Sequence, residues 1–251
     1  MMRRPAARRA LVAALVVLGG VLLPLPGAAE TLSLDLGQGG SATARILQLV
    51  LLLTVLSLAP SILVMVTSFT RIIVVLSLLR SALGLQQTPP NAVLIGLALF
   101  LTAFVMAPVL EKSYDDGIKP LIAEKIDESE AYKRTVKPLH EFMLAHVRDK
   151  ELTLFLELAK VPEATKPDSY PLRAIIPAFM ISELRRSFEI GFLLFVPFII
   201  IDMVVASILM SMGMMMLPPI TISLPFKLIF FVLVDGWYMV TGSLLRSFGA
   251  G

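Results

Sequence analysis

Between Arg45 and Arg71 the chain runs for 25 residues without a lysine, arginine, aspartate or glutamate, and between Arg80 and Glu111 it does so for 30. A bilayer's hydrocarbon core is about 30 Å thick, and a helix needs about 20 apolar residues to cross it. Each run is long enough. Two more apolar segments follow, IGFLLFVPFIIIDMVVASILM (190–210) and ITISLPFKLIFFVLVDGWYMVTGSLL (220–245). The whole chain is 57% hydrophobic, above the roughly 45–50% of soluble domains. The expected fold class is an all-α membrane protein.

The charge lies elsewhere. Of 41 charged residues, 27 fall between Glu111 and Arg186. The expected organisation is a first apolar helical pair over 30–110, a charged helical insert over 111–187, and a second apolar pair over 188–251. In the insert, Leu139, Phe142, Met143 and Val147 share a helical face, as do Leu152, Phe155, Leu156 and Ala159. PEATKPDSYP reads as a loop. An insert of this size makes a core that is marginal alone and leans on partner subunits.

MMRRPAARRA is basic, LVAALVVLGGVLLPLP is apolar, and Pro26-Gly27-Ala28-Ala29 is small. Residues 1–29 therefore read as a secretory signal peptide cleaved after Ala29; the alternative is an uncleaved first membrane helix. Setting aside Arg3, Arg4, Arg8 and Arg9 leaves 18 basic against 19 acidic residues, so nothing in the charge favours nucleic acid. On this topology the connection over about 71–91 is cytoplasmic. It carries Arg71 and Arg80 and no acid, as the positive-inside bias expects. The insert then faces the periplasm.

Pro60, Pro108, Pro197 and Pro225 sit in or beside the apolar segments. Each removes a backbone donor, so the segments are expected as broken hairpins inside an assembly or as kinked spans.

No catalytic residue is identified. His140 and His146 are six apart, off the i,i+4 spacing of helical metal ligands, and read as solvated surface residues. No metal site and no cofactor are expected. The absence of cysteine excludes disulfides and thiolate sites. Arg71, Arg80, Asp202, Lys227 and Asp235 interrupt apolar runs. An ionisable group at membrane depth costs about 2.5–3.5 kcal/mol on insertion scales, so it pairs, lines a wet cavity or snorkels to the interface. Lys227 and Asp235 share a face eight residues apart without touching. Glu183 and Glu189 are candidates to pair with Lys227.

MSMGMMMLPP (210–219) ends the third apolar segment. On helical spacing Met210 and Met214 share one face, and Met212 and Met216 another. Adaptable core filling is one reading. The other is a flexible apolar collar, in which Met210, Met212, Met214, Met215 and Met216 from several copies ring a pore.

PAFMISELRRSFEIGF (177–192) and PFKLIFFVLVDGW (225–237) resemble signature segments of the FliP family of flagellar type III export-gate proteins, whose relatives are the SctR proteins of injectisomes. FTRIIVVLSLLRSALGLQQTPPN (69–91), PLHEFMLAHVRDKELTLFLELAK (138–160) and MGMMMLPP (212–219) are similar to the family too. The likeness covers about 45–248. Ser187 and Ala92 depart from it, where alanine or glycine, and glutamine, are usual. The resemblance implies a pore-forming core subunit of the flagellar export gate that carries unfolded flagellar proteins across the inner membrane. It is expected to be no enzyme. Several copies would assemble with FliQ and FliR, with FlhB and FlhA nearby, into a helical pore in the basal body that lies largely on the periplasmic side. It further implies a methionine gasket at Met214, Met215 and Met216, flanked by Met210 and Met212. Glu183 and Lys227 match family positions placed for a charge pair between subunits. The alternatives are an injectisome gate subunit, a small-solute channel or transporter built around Asp202 and Lys227, and an intramembrane enzyme.

Overall fold

The structure, a computed structural model, describes residues 42–162, 164–214 and 216–249. The expected signal peptide and Met215 lie outside the described residues. The chain divides into two units, 1–56 and 57–251. In the first, the opening turns of helix α1 (Ala42–Val66) carry exposed Leu47, Leu51, Leu53 and Leu56. The Thr54 hydroxyl donates to the Val50 carbonyl at 2.7 Å, which hides its polarity along an apolar helix.

The second unit is built around α2 (Phe69–Ala82). Its Ile72, Val75, Leu76 and Leu79 recur at i, i+3, i+4, i+7 and are buried. They pack on α3 (Asn91–Ser113), through Leu94, Ala98, Leu101 and Val105, and on α7 (Leu172–Ser211), through Ile175 and Phe179. At Gly191 a Cβ would run into Leu78, so the missing side chain sets the close approach of α7 to α2. A π-helical turn (Tyr114–Ile118) and α4 (Lys119–Ile122) prolong α3. Next come α5 (Glu128–His146), capped by the Asp127 carboxylate accepting from the Glu130 amide, and α6 (Asp149–Leu158). The last elements are α8 (Pro219–Leu233) and α9 (Gly236–Arg246). Every regular element among the described residues is helical.

By length and composition α1, the α3–α4 stretch and α7 can each cross a membrane. A fourth crossing is available if α8 and α9, bent by 62°, count as one. Four apolar segments are what the sequence predicts; their boundaries differ in three ways. The stretch 71–91 is not a connection: most of it is α2, the most buried helix, and only Leu83–Pro90 links it to α3. The boundary drawn at 187/188 falls inside α7. At 40 residues, that helix is about 60 Å long, twice a hydrocarbon core, and joins the insert to the third apolar segment as one rod. Finally, Pro60, Pro108, Pro197 and Pro225 all lie inside continuous helices. Within the first and fourth apolar segments the breaks come at Thr67-Ser68 and Val234-Asp235, which contain no proline.

Candidate functional site

Arg71 is buried, 3% exposed, although it lies between apolar runs. Its Nε donates to Glu183 Oε2 at 2.8 Å and its Nη2 donates to Oε1 of the same carboxylate. Its Nη1 donates to the Ser247 carbonyl at 3.1 Å and the Ser247 hydroxyl at 3.0 Å. The guanidinium also stacks on the Phe248 ring, 3.8 Å from its centroid. One side chain of α2 thus ties α7 to the residues after α9. The planar fork matches the carboxylate, which lysine would not do.

A second buried tie lies at the other end of α2. Lys227 Nζ donates to Asp202 Oδ2 at 2.7 Å and to the Ala82 carbonyl at 3.2 Å. The Ser223 hydroxyl, one turn before Lys227, donates to Asp202 Oδ1. A cation on a helix's last carbonyls is favoured by the helix dipole. α2, α7 and α8 meet here.

The structure does not bring Glu183 and Lys227 together. Both charges have partners within one chain, Glu183 with Arg71 and Lys227 with Asp202, as burial requires. Arg71 neither snorkels nor lies in a loop. Glu189 also pairs elsewhere, with Arg148 at 2.9 Å and Arg185 at 3.3 Å. Arg80 is half-buried and fastens the link to α3, donating to the Pro89 carbonyl at 3.1 Å and Asn91 Oδ1 at 2.7 Å.

Neither histidine is a free surface residue: His140 is buried and His146 half-buried. The His140 Nε2–H donates to the Tyr170 carbonyl at 2.9 Å and the ring is buried. His146 donates from Nδ1 to Phe142 one turn back, and its ring lies against Phe142 and Phe248. His140 ties α5 to the segment before α7, and His146 joins the end of α5 to the residues after α9. Among the described residues no group of three or more histidines and carboxylates is placed to hold a metal ion.

Asp235 forms the corner between α8 and α9 in the left-handed region, φ 51°. Gly236 follows because a Cβ there would enter the Phe231 ring. Trp237 then meets Phe231 edge to face at 5.5 Å, and Phe231 packs on Phe198 of α7. The segment PFKLIFFVLVDGW therefore encodes the Lys227 tie, the aromatic contact and the bend.

The methionine stretch is a helix end and a loop. Gly213, φ 72°, closes α7: its amide donates to the Met210 carbonyl at 3.1 Å and the Met214 amide donates to Leu209 at 3.0 Å, a Schellman pattern. Pro219 opens α8 at its first turn. Met214 and Met216 therefore lie outside the helix, and the shared-face spacing stops at Ser211. Met210, Met212, Met214 and Met216 are all exposed, Met216 to 98%.

Ser223, Ser247 and Phe248 were not legible as site residues. A serine carries no pattern of its own, and Phe248 stands outside the apolar periodicity.

The FliP family profile matches residues 52–244. The flagellar biosynthetic protein FliP of Caulobacter vibrioides is 57% identical over 245 residues, 97% of this chain and 92% of the relative. Its namesake in Bacillus subtilis is 56% identical, over 80% and 91% of the two chains. That of Aquifex aeolicus is 48% identical, over 96% and 99%.

Proposed function

Because the chain belongs to the FliP family, we propose that it is a pore-forming core subunit of the flagellar type III export gate, passing unfolded flagellar proteins across the inner membrane. On this reading several copies assemble with FliQ and FliR, with FlhB and FlhA nearby, in the basal body and largely facing the periplasm. The observation that carries it is the junction of α7 and α8. Four described methionines stand exposed there, at a turn held by a glycine cap and a double proline. Buried core filler would not be exposed. Flexible thioethers suit a seal that must deform around varied polypeptides and close again.

Large apolar side chains exposed along α3, α7 and α8, such as Phe100, Phe104, Phe192 and Ile229, support covering by lipid and by other subunits. Against the transporter reading, Asp202 and Lys227 are paired with one another within the chain. The relatives named above are flagellar proteins, which favours the flagellar over the injectisome reading.

Replacing Met214, Met215 and Met216 together by alanine tests this. Assembly is expected to persist while the membrane leaks small solutes and secretion changes. Unchanged leakage and unchanged secretion would overturn the gasket.

A further inference from the structure

Five of the chain's thirteen methionines lie within residues 210–216, and the chain has no cysteine. Thioethers are thus its only sulfur, and that sulfur is concentrated where it is exposed. Met216 is 98% exposed, with Met210, Met212 and Met214 exposed beside it. Elsewhere Met106 and Met143 are buried in the core, and the Met180 sulfur accepts the Thr70 hydroxyl at 3.8 Å. Met65, Met203 and Met239 are exposed too, but on helices of the apolar segments, whose outer faces suit lipid or another subunit. Among the described methionines only Met212, Met214 and Met216 lie outside a helix.

An exposed thioether reacts with a peroxide. The sulfur takes one oxygen atom, the O–O bond breaks and hydrogen peroxide leaves as water, so that an apolar side chain becomes a polar sulfoxide. The methionine sulfoxide reductases reverse the step with a dithiol: the oxygen leaves as water and the dithiol becomes a disulfide. The turn suits this cycle in two respects. The bonds that close it run between backbone groups, Gly213 to Met210 and Met214 to Leu209, and an oxygen added to a thioether breaks neither. A hydrophobic constriction, in turn, excludes water only while its lining is apolar. We propose that residues 210–216 are a modification site for reversible oxygen transfer from a peroxide, and that sulfoxides there open the seal. The proposal rests on the reading of these methionines as a gasket.

Membranes from cells making all the flagellar membrane proteins are treated with hydrogen peroxide, quenched with catalase, and the full chain is digested for mass spectrometry. The methionines of 210–216 are expected to gain oxygen at least about tenfold faster than the buried Met106 and Met143. Equal rates overturn the site. Sealed vesicles of the same membranes are expected to leak small solutes after peroxide. They should reseal when the reductases and dithiothreitol are introduced on both faces by freeze–thaw; failure to reseal overturns the reversibility. Replacing Met210, Met212, Met214, Met215 and Met216 by leucine keeps the volume and apolarity but removes the sulfur. That variant should hold solutes before and after peroxide. If it does not accumulate, Met214→Leu with Met216→Leu takes its place and should lower the peroxide-induced leak. A leak in the leucine variant equal to the parent's overturns the proposal, because the oxidation that matters then lies elsewhere. Oxygen uptake at 210–216 without leakage overturns it as well, since sulfoxides then leave the seal closed. The alanine variants judge the gasket with no oxidant present. If they leak while peroxide leaves the parent sealed, the gasket stands and the modification falls. If they do not leak, the gasket falls, and oxygen uptake is still read by mass.

Discussion

Arg71 and Glu183, 112 residues apart, meet fork to fork in the interior, and the same guanidinium holds Ser247 and Phe248. A buried arginine of α2 is thus what the last described turn rests on. These two charges neutralise one another within one chain and join α2, α7 and the end of α9.

Removing one side of that pair should cost far more than removing both. Arg71→Ala leaves a buried carboxylate alone, a change of about 3–5 kcal/mol, and should lower the amount of protease-resistant chain in membranes. Arg71→Lys should be intermediate, since it keeps the charge and loses the fork. Arg71→Met with Glu183→Met should recover much of the stability, because an apolar pair carries no desolvation penalty. A double variant no better than the worse single one would count against the pair as the source of the defect.

The Lys227 tie predicts a specific pattern of rescue. Lys227→Glu sets two carboxylates together at Asp202 and should abolish folding into a protease-resistant form. Asp202→Lys should restore it, by exchanging the two ends of one bond. Glu183→Lys should not, because Glu183 answers to Arg71. Rescue can be scored by swimming and by chain level. Restoration by Glu183→Lys instead would mean that the two residues meet across subunits.

Periodicity and charge spacing carried the fold class and the four apolar segments, since a run of about 20 uncharged residues has few places to go. They misplaced Arg71 because a charge between two apolar runs looks like a loop. Only its partner, more than a hundred residues away, makes it a core residue. The same blindness to distant partners hid Ser247 and Phe248. Prolines misled about breakage: a helix missing one donor continued at each of Pro60, Pro108, Pro197 and Pro225. The real corner was written as Asp235-Gly236, and its cause, the Phe231 ring five residues before the glycine, needs coordinates to be seen. In MSMGMMMLPP, Gly213 was the terminator that the shared-face spacing ran past.

That glycine makes the methionine turn separable from the methionines. Gly213 has no neighbouring atom within 4 Å of where a Cβ would sit, so space does not forbid a side chain. Its φ of 72° does, and a non-glycine residue there costs about 1–2 kcal/mol. Gly213→Val, with a branched Cβ, should favour running α7 onward through Met214 and so redirect the methionines without altering one of them. Gly213→Asn, which tolerates the left-handed region, should keep the turn. In cells, Gly213→Val is expected to assemble in normal amount but to leak small solutes and secrete poorly, while Gly213→Asn stays near the parent. If Gly213→Val closes and secretes as well as the parent, the seal does not depend on where this turn aims the thioethers.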